Sequence, residues 1–155
     1  WGQVGSSIPI VGDTVALVPN PLTQEGADRA GEKATIAQLL PALPSGLKPP
    51  AIICVGLNYK VHAAEVGLPE PKYPVIFMKN PSAATGHGPI IVPRCVQEPE
   101  QVDYEVELGF IIGKTCKNVT PESALSCVLG YVVANDVSAR NWQIKLGGNQ
   151  FCYAK

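Results

Sequence analysis

Glu105 and Glu107 stand two residues apart inside VDYEVELGFIIG (102–113), an otherwise apolar run. A strand alternates faces with period two, so both carboxylates are expected on one side. The run continues through Leu108, Phe110, Ile111 and Ile112, the pattern of a mostly buried strand. Two like charges side by side there repel each other and lose hydration, so they need compensation. A hard divalent cation supplies it, because carboxylate oxygens suit Mg²⁺, Mn²⁺ or Ca²⁺. The plainer alternative is a half-exposed strand with two solvated glutamates. Asp136 closes another apolar run, Tyr131 to Ala134, after Asn135. It either caps the turn before Ser138 or adds a third oxygen ligand, leaving positions for water and a chelating substrate.

Other side chains could act beside such a centre. His62 and Glu65 are three apart on an expected helix and therefore neighbours on one face. A carboxylate beside an imidazole fixes its tautomer and raises its basicity, which prepares a general base. The same spacing describes an ordinary surface pair. Arg140 and Gln143, also three apart, follow Asp136 and suit a substrate carboxylate, unless they simply face solvent. Lys79 ends an apolar run and Lys155 ends the chain, with nothing local to mark either one. His87, in a Gly-rich turn, reads as a loop residue. LGGNQ (146–150) lacks the Lys-Ser/Thr of a phosphate loop.

The elements that must position these groups divide at a Pro/Gly-rich linker, PALPSGLKPP (41–50). Residues 1–48 form a small N-terminal region without evident chemistry. Ile8 to Val18 suggests short strands there, and Ala34 to Leu40 a short helix ending at Pro41. Residues 49–155 hold every candidate. Ala51 to Val55 predicts a short buried strand, and Asn58 can cap a helix running to Glu65 and stopping at Gly67. Pro74 to Lys79 and Pro89 to Val92 predict further strands. Thr120-Pro121-Glu122 is a helix start, Gly130 its expected end, Tyr131 to Ala134 a strand, and Ser138 a cap for a helix to Lys145. Strands mixed with short helices at irregular spacing predict an α+β fold rather than a doubly wound sheet.

Composition narrows the partners. The 155 residues are 46% hydrophobic and 16% charged, a globular balance. A net charge of −1, with the signs interspersed, recommends neither nucleic acid nor an anionic membrane as partner. The apolar runs are too short to span a bilayer. Five cysteines without a CxxC pair argue against a disulfide framework and a thiolate zinc site, and for a reducing intracellular compartment. The Asn118-Val119-Thr120 sequon is expected to be idle there. No leader of basic residues before an apolar core is legible, so cytoplasm and mitochondrion both stay open.

Five motifs in order, CVGLNYKVHAAE (54–65), PVIFMK (74–79), VDYEVELGFIIG, ANDVSARNWQ (134–143) and FCYAK (151–155), resemble the fumarylacetoacetate hydrolase family. The resemblance spans 51–155 and is closest to the branch of domain-containing-2-like members. It implies a mixed β-sheet roll, incomplete here, preceded by the N-terminal region. It further implies that Glu105, Glu107 and Asp136 hold Mg²⁺ or Mn²⁺, with Ca²⁺ possible in crystals. His62 and Glu65 are implied to form a catalytic dyad on a mobile lid, and Lys155 to assist at the reacting carbonyl. Lys79, Arg140 and Gln143 match positions near substrate. Val55 stands where the founding hydrolase has another aspartate ligand, so three protein carboxylates are expected.

By the same resemblance the substrate is a small 2-oxo or β-dicarbonyl acid, processed through an enolate that the cation stabilises. The outcome is C–C hydrolysis of acylpyruvate-like compounds, oxaloacetate decarboxylation or keto–enol tautomerisation, and a complete enzyme is expected to be a homodimer. The chain stops inside its last motif, so a second half with a TGTP-type loop is expected to be missing. That favours, as the alternative, a catalytically inactive truncated isoform that binds metal or a partner protein. Residues 1–155 alone are then expected to be insoluble, partly disordered or associated, with Lys155 frayed. Without metal, the three carboxylates are expected to show raised pKa values from mutual repulsion.

Overall fold

The structure is a computed structural model that describes residues 2–3, 12–17, 31–38, 42–43 and 48–155. It divides into two compact units, Trp1–Pro44 with Gly86–Gly88, and Ser45–Thr85 with Pro89–Lys155. In the first, strands β1 (Gly2–Gln3), β2 (Thr14–Leu17) and β3 (Lys33–Thr35) form an antiparallel sheet in that order. Gly12 N and Ile36 N extend the β2–β3 pairing by donating to Ile36 O and Asp13 O at 2.7 and 2.8 Å. The helix expected over Ala34 to Leu40 is therefore a strand at its start. Thr35 and Ile36 are β-branched, stiff at χ1 and suited to a pleated surface. Residues 39–41 and 44–47 lie outside the described residues, as do 8–11 and 18 of the Ile8 to Val18 segment.

The second unit holds β4 (Ile52–Gly56), helix α1 (Lys60–Glu65), β5 (Val75–Lys79), β6 (Val102–Asp103), β7 (Val106–Ile112), helix α2 (Pro121–Ala124), β8 (Val128–Asn135) and β9 (Ser138–Ala139). The antiparallel pairs are β4–β5, β6–β9 and β7–β8. Mixed strands and short helices make the fold α+β, as expected.

Several boundaries differ from the sequence reading. The strand expected from Val102 onward breaks at Tyr104-Glu105. Tyr104 N donates at 2.9 Å to the Asp103 side chain, a local bond that competes with a ladder bond and lets the chain change partners. Pro89 to Val92 forms no strand; prolines at 89 and 93 remove ladder donors on either side. Asn58 does not cap α1, whose N-cap is Tyr59 without a side-chain bond. The Tyr59 hydroxyl instead accepts from Leu108 N at 3.0 Å. Gly130 lies inside β8 rather than ending a helix, because α2 passes into a short 3₁₀ turn over Leu125–Cys127. Ser138 lies in β9, and the following helical turn takes the wide π form over Trp142–Leu146. Gly147 N closes that turn on Trp142 O at 2.9 Å, where a Cβ would stand 2.3 Å from the same oxygen. Only glycine fits there.

The core is small. Val96, Ala139 and Ala154 are buried together, with Val92, Val102 and Trp142 packed against them. Of the strands expected to be buried, β4 is mostly half-buried and β7 is open along one face. On β7 the apolar Val106, Leu108, Phe110 and Ile112 are exposed, while Glu107, Gly109 and Ile111 are half-buried. The acid thus faces the protected side and the hydrophobes face out.

Candidate metal centre

The β7–β8 ladder creates the centre. Val106 pairs with Asn135, and beyond that pair Asp136 N donates to Glu105 O at 2.8 Å. Glu105 N donates to the Asn135 side chain at 3.2 Å, which fixes the turn out of the ladder. Glu105 and Asp136 are thereby set side by side, with Glu107 on the half-buried face of β7. One carboxylate oxygen from each of the three lies within 4.8 Å of the other two. Oxygens bound to one cation at about 2.0–2.6 Å are separated by at most roughly twice that, so the trio fits a single hard cation.

Cations of the protein crowd the same oxygens. Lys79 Nζ donates to Asp136 Oδ1 and lies 3.5 Å from Val137 O. Lys155 Nζ donates to Glu105 Oε1, Asp136 Oδ2 and Ser138 Oγ at 2.7, 2.7 and 2.6 Å. Arg140 Nη1 stands 3.1 Å from Glu105 Oε1. An ammonium has three donors, and here all three are used. The Lys155 side chain is only 2% exposed and lies 5.1 Å over the Phe77 ring, so the expectation that it frays is wrong. Tertiary ion pairs and hydrogen bonds anchor the side chain.

These partners also overturn the expectation of raised carboxylate pKa values at Glu105. Burial pushes its carboxyl up, but hydrogen bonds from Lys155 and Ser138 and the charges of Lys155 and Arg140 outweigh burial and hold it below the usual value. Repulsion inside the trio is answered by fixed cations. Asp103 is likewise held low, chiefly by its hydrogen bonds from Arg140. Cys54 is raised, by burial first and then by the Asp136 charge, so it keeps its proton at neutral pH.

Arg140 is held on three sides. Its Nε and Nη2 donate to Asp103 Oδ2 at 3.1 and 2.8 Å, and Nη1 donates to Gln143 Oε1 at 3.0 Å. Gln143, nominated for substrate, is buried and spends its oxygen orienting Arg140. His62 and Glu65 stand apart. His62 Nδ1 is 3.8 Å from Glu65 Oε2, beyond hydrogen-bond reach; on α1 the His62 side chain is partly exposed and that of Glu65 largely so. Among the described residues no hydrogen bond or ion pair joins either one to the trio.

Three participants are not legible as site residues in the sequence. Ser138, fully buried, donates to Glu105 Oε1 and accepts from Lys155. Asp103 clamps Arg140, and Gln101 Oε1 accepts from Asn141 N and Trp142 N at 2.9 and 3.3 Å. A period-two signal did exist: Asp103 precedes Glu105 by two residues and Ser138 follows Asp136 by two.

Residues 51–155 match the family described as fumarylacetoacetate (FAA) hydrolase C-terminal. The chain belongs to the fumarylacetoacetate hydrolase family. It is 47% identical over 108 residues to the mitochondrial oxaloacetate tautomerase of Xenopus laevis, covering 69% of this chain and 33% of that protein. Among solved structures, the 5-carboxymethyl-2-hydroxymuconate delta-isomerase of Mycobacterium smegmatis superposes with a TM-score of 0.68 at 31% identity, covering 100% of this chain and 55% of that one. A fumarylacetoacetate hydrolase from Exiguobacterium antarcticum gives a TM-score of 0.59 at 37% identity, with 84% and 46% covered. The chain thus spans about a third of the Xenopus protein. Among the described residues no helix is long and apolar enough to cross a membrane.

Proposed function

We propose that this chain carries the cation-binding part of an enzyme acting on small 2-oxo or β-dicarbonyl acids. The observation that carries the reading is the convergence of Glu105, Glu107 and Asp136 within 4.8 Å, ringed by Lys79, Lys155 and Arg140. Mg²⁺ or Mn²⁺ held by the trio would polarise a substrate carbonyl and stabilise negative charge developing on it. Arg140, whose Nε and Nη2 already bind Asp103 and whose Nη1 binds Gln143 and Glu105, would add positive charge beside an anionic substrate. Lys79 and Lys155 add charge of the sign that an anionic substrate needs. His62, with Glu65 beside it on α1, would serve as the group that moves the proton once α1 brings it to the substrate.

Keto–enol tautomerisation of oxaloacetate is the outcome to test first, since the Xenopus relative bears that name. C–C hydrolysis of acylpyruvates and decarboxylation use the same groups. The strand pairs of the second unit fit part of a β-roll, a homodimer is the assembly to look for, and the mitochondrion is the compartment suggested by that relative's name. The decisive assay follows the ultraviolet absorbance of enol oxaloacetate with Mg²⁺ or Mn²⁺, using a version of the protein as long as its relatives. Metal-dependent loss of the enol signal, abolished in Glu107→Gln, supports the reading. The rival is a non-catalytic protein that binds metal or a partner, favoured by the exposure of His62 and Glu65 away from the trio. It predicts Mn²⁺ binding without turnover of any of these substrates.

A further inference from the structure

The carboxylate oxygens of the trio are not equally engaged. Glu105 Oε1 receives Ser138, Lys155 and Arg140, whereas no hydrogen bond or ion pair among the described residues reaches Oε2. The Glu107 carboxylate likewise takes part in none among the described residues. Asp136 has both oxygens held by ammonium groups, Oδ1 by Lys79 and Oδ2 by Lys155. A cation can therefore use Glu105 Oε2 and Glu107 without disturbing any contact, but at Asp136 it meets an oxygen that a lysine already holds.

The two lysines differ in place. Lys79 contacts Asp136 Oδ1 and the Val137 carbonyl, and among the described residues it forms an ion pair with no other acid of the trio. Lys155 Nζ sits 2.7 Å from Glu105 Oε1 and 2.7 Å from Asp136 Oδ2, bridging two of the three ligands. A cation shared by those residues would carry its charge close to this ammonium, and like charges a few ångströms apart repel strongly in a half-buried site. We infer that Lys155 is a built-in competitor of the metal: binding of the divalent cation takes Asp136 Oδ2 from Lys155 and turns its ammonium out toward the substrate position. This rests on the metal reading above and adds an order of events. The cation enters first, and the released ammonium then becomes a donor for the anionic substrate. Ser138 and Arg140 keep hold of Glu105 throughout, so one ligand stays placed while the charges change over.

The test is Mn²⁺ affinity, measured by calorimetry on the wild-type chain, Lys155→Met and Lys79→Met, with circular dichroism to establish that each is folded. Removal of the competitor should tighten Mn²⁺ binding at least about tenfold in Lys155→Met, and by less in Lys79→Met. Equal or weaker binding in folded Lys155→Met would overturn the exchange, because a lysine that merely positions the ligands should weaken binding when lost. Binding by neither form would overturn the metal reading itself, and the exchange with it. Amine acetylation of the wild-type chain, read by mass spectrometry, gives a second measure that needs no variant. Lys155, almost wholly buried, should react several-fold faster with Mn²⁺ than without it. Unchanged labelling at Lys155 in Mn²⁺-loaded protein also counts against the exchange.

Discussion

The acidic centre and helix α1 carry the two halves of the proposed chemistry, yet they are built in opposite ways. At the centre, Glu105, Asp136, Ser138 and Lys155 are mostly buried and joined by short bonds between segments distant in sequence. On α1, His62 and Glu65 face solvent at 3.8 Å, and of the helix only Ala63 is buried. The helix is six residues long, too short to hold itself by propensity alone. Its described links beyond its own segment include the bond from Leu108 N to the Tyr59 hydroxyl at its N-cap and an exposed ion pair of Lys60 with Glu70 at 3.5 Å. The contrast teaches that charge storage and proton transfer ask for different mechanics. A cluster of like charges must be rigid and surrounded by counter-charge, whereas a group that approaches and leaves a substrate must sit on an element of low local stability.

That contrast can be broken by mutation. In a catalytically complete form, His62→Ala should lower turnover by about 10²–10⁴-fold, the range for a general base, while Mn²⁺ affinity and the melting temperature stay unchanged. Near-normal turnover would move the base to another residue. Asp136→Ala should act at the other pole. It takes the carboxylate partner from part-buried Lys79 and one of three acceptors from buried Lys155, so a loss of about 3–5 kcal/mol in urea unfolding is expected, against under about 0.5 kcal/mol for Glu65→Ala. Similar costs at the two positions would erase the distinction between the regions.

A smaller effect should follow Ser138→Ala, which leaves the Lys155 ammonium one acceptor short. A cost of about 1–3 kcal/mol is expected, and a neutral result would mean that water replaces the hydroxyl. The pH dependence sharpens the picture further. Glu105 is held below its ordinary pKa in the folded state, so its contribution to stability is present above the unfolded carboxyl value of about 4.3 and is lost as pH falls through the folded value. Urea midpoints measured downward from pH 6 should fall less steeply in Glu105→Gln than in the wild type. An equal slope would place the acid sensitivity elsewhere, and Asp103, also held low, is the next group to test.

A second contrast lies in the apolar residues. Val106, Leu108, Phe110 and Ile112 read in sequence as a buried strand, but this chain leaves them open to solvent. Hydrophobic surface of this kind recruits other surfaces, so light scattering of the isolated chain should report association. A monodisperse monomer across micromolar concentrations would contradict that expectation.

Sequence alone determined the acid types, the period-two spacing of Glu105 and Glu107, the i,i+3 pair on α1, the α+β class and the family. All of these are encoded over a few residues or in ordered motifs, where backbone periodicity carries the information. It misplaced the break at Tyr104-Glu105 and the role of Ser138, because a side chain bonding to nearby backbone or across a sheet overrides local propensity. The counter-ions were decided by tertiary structure. Lys79 meets Asp136 across 57 residues, Lys155 meets Glu105 across 50, and Ser138 meets Glu105 across 33. No local signal marks such partners. Strand register brings them together, and their mutual charge and burial then set the ionisation of Glu105.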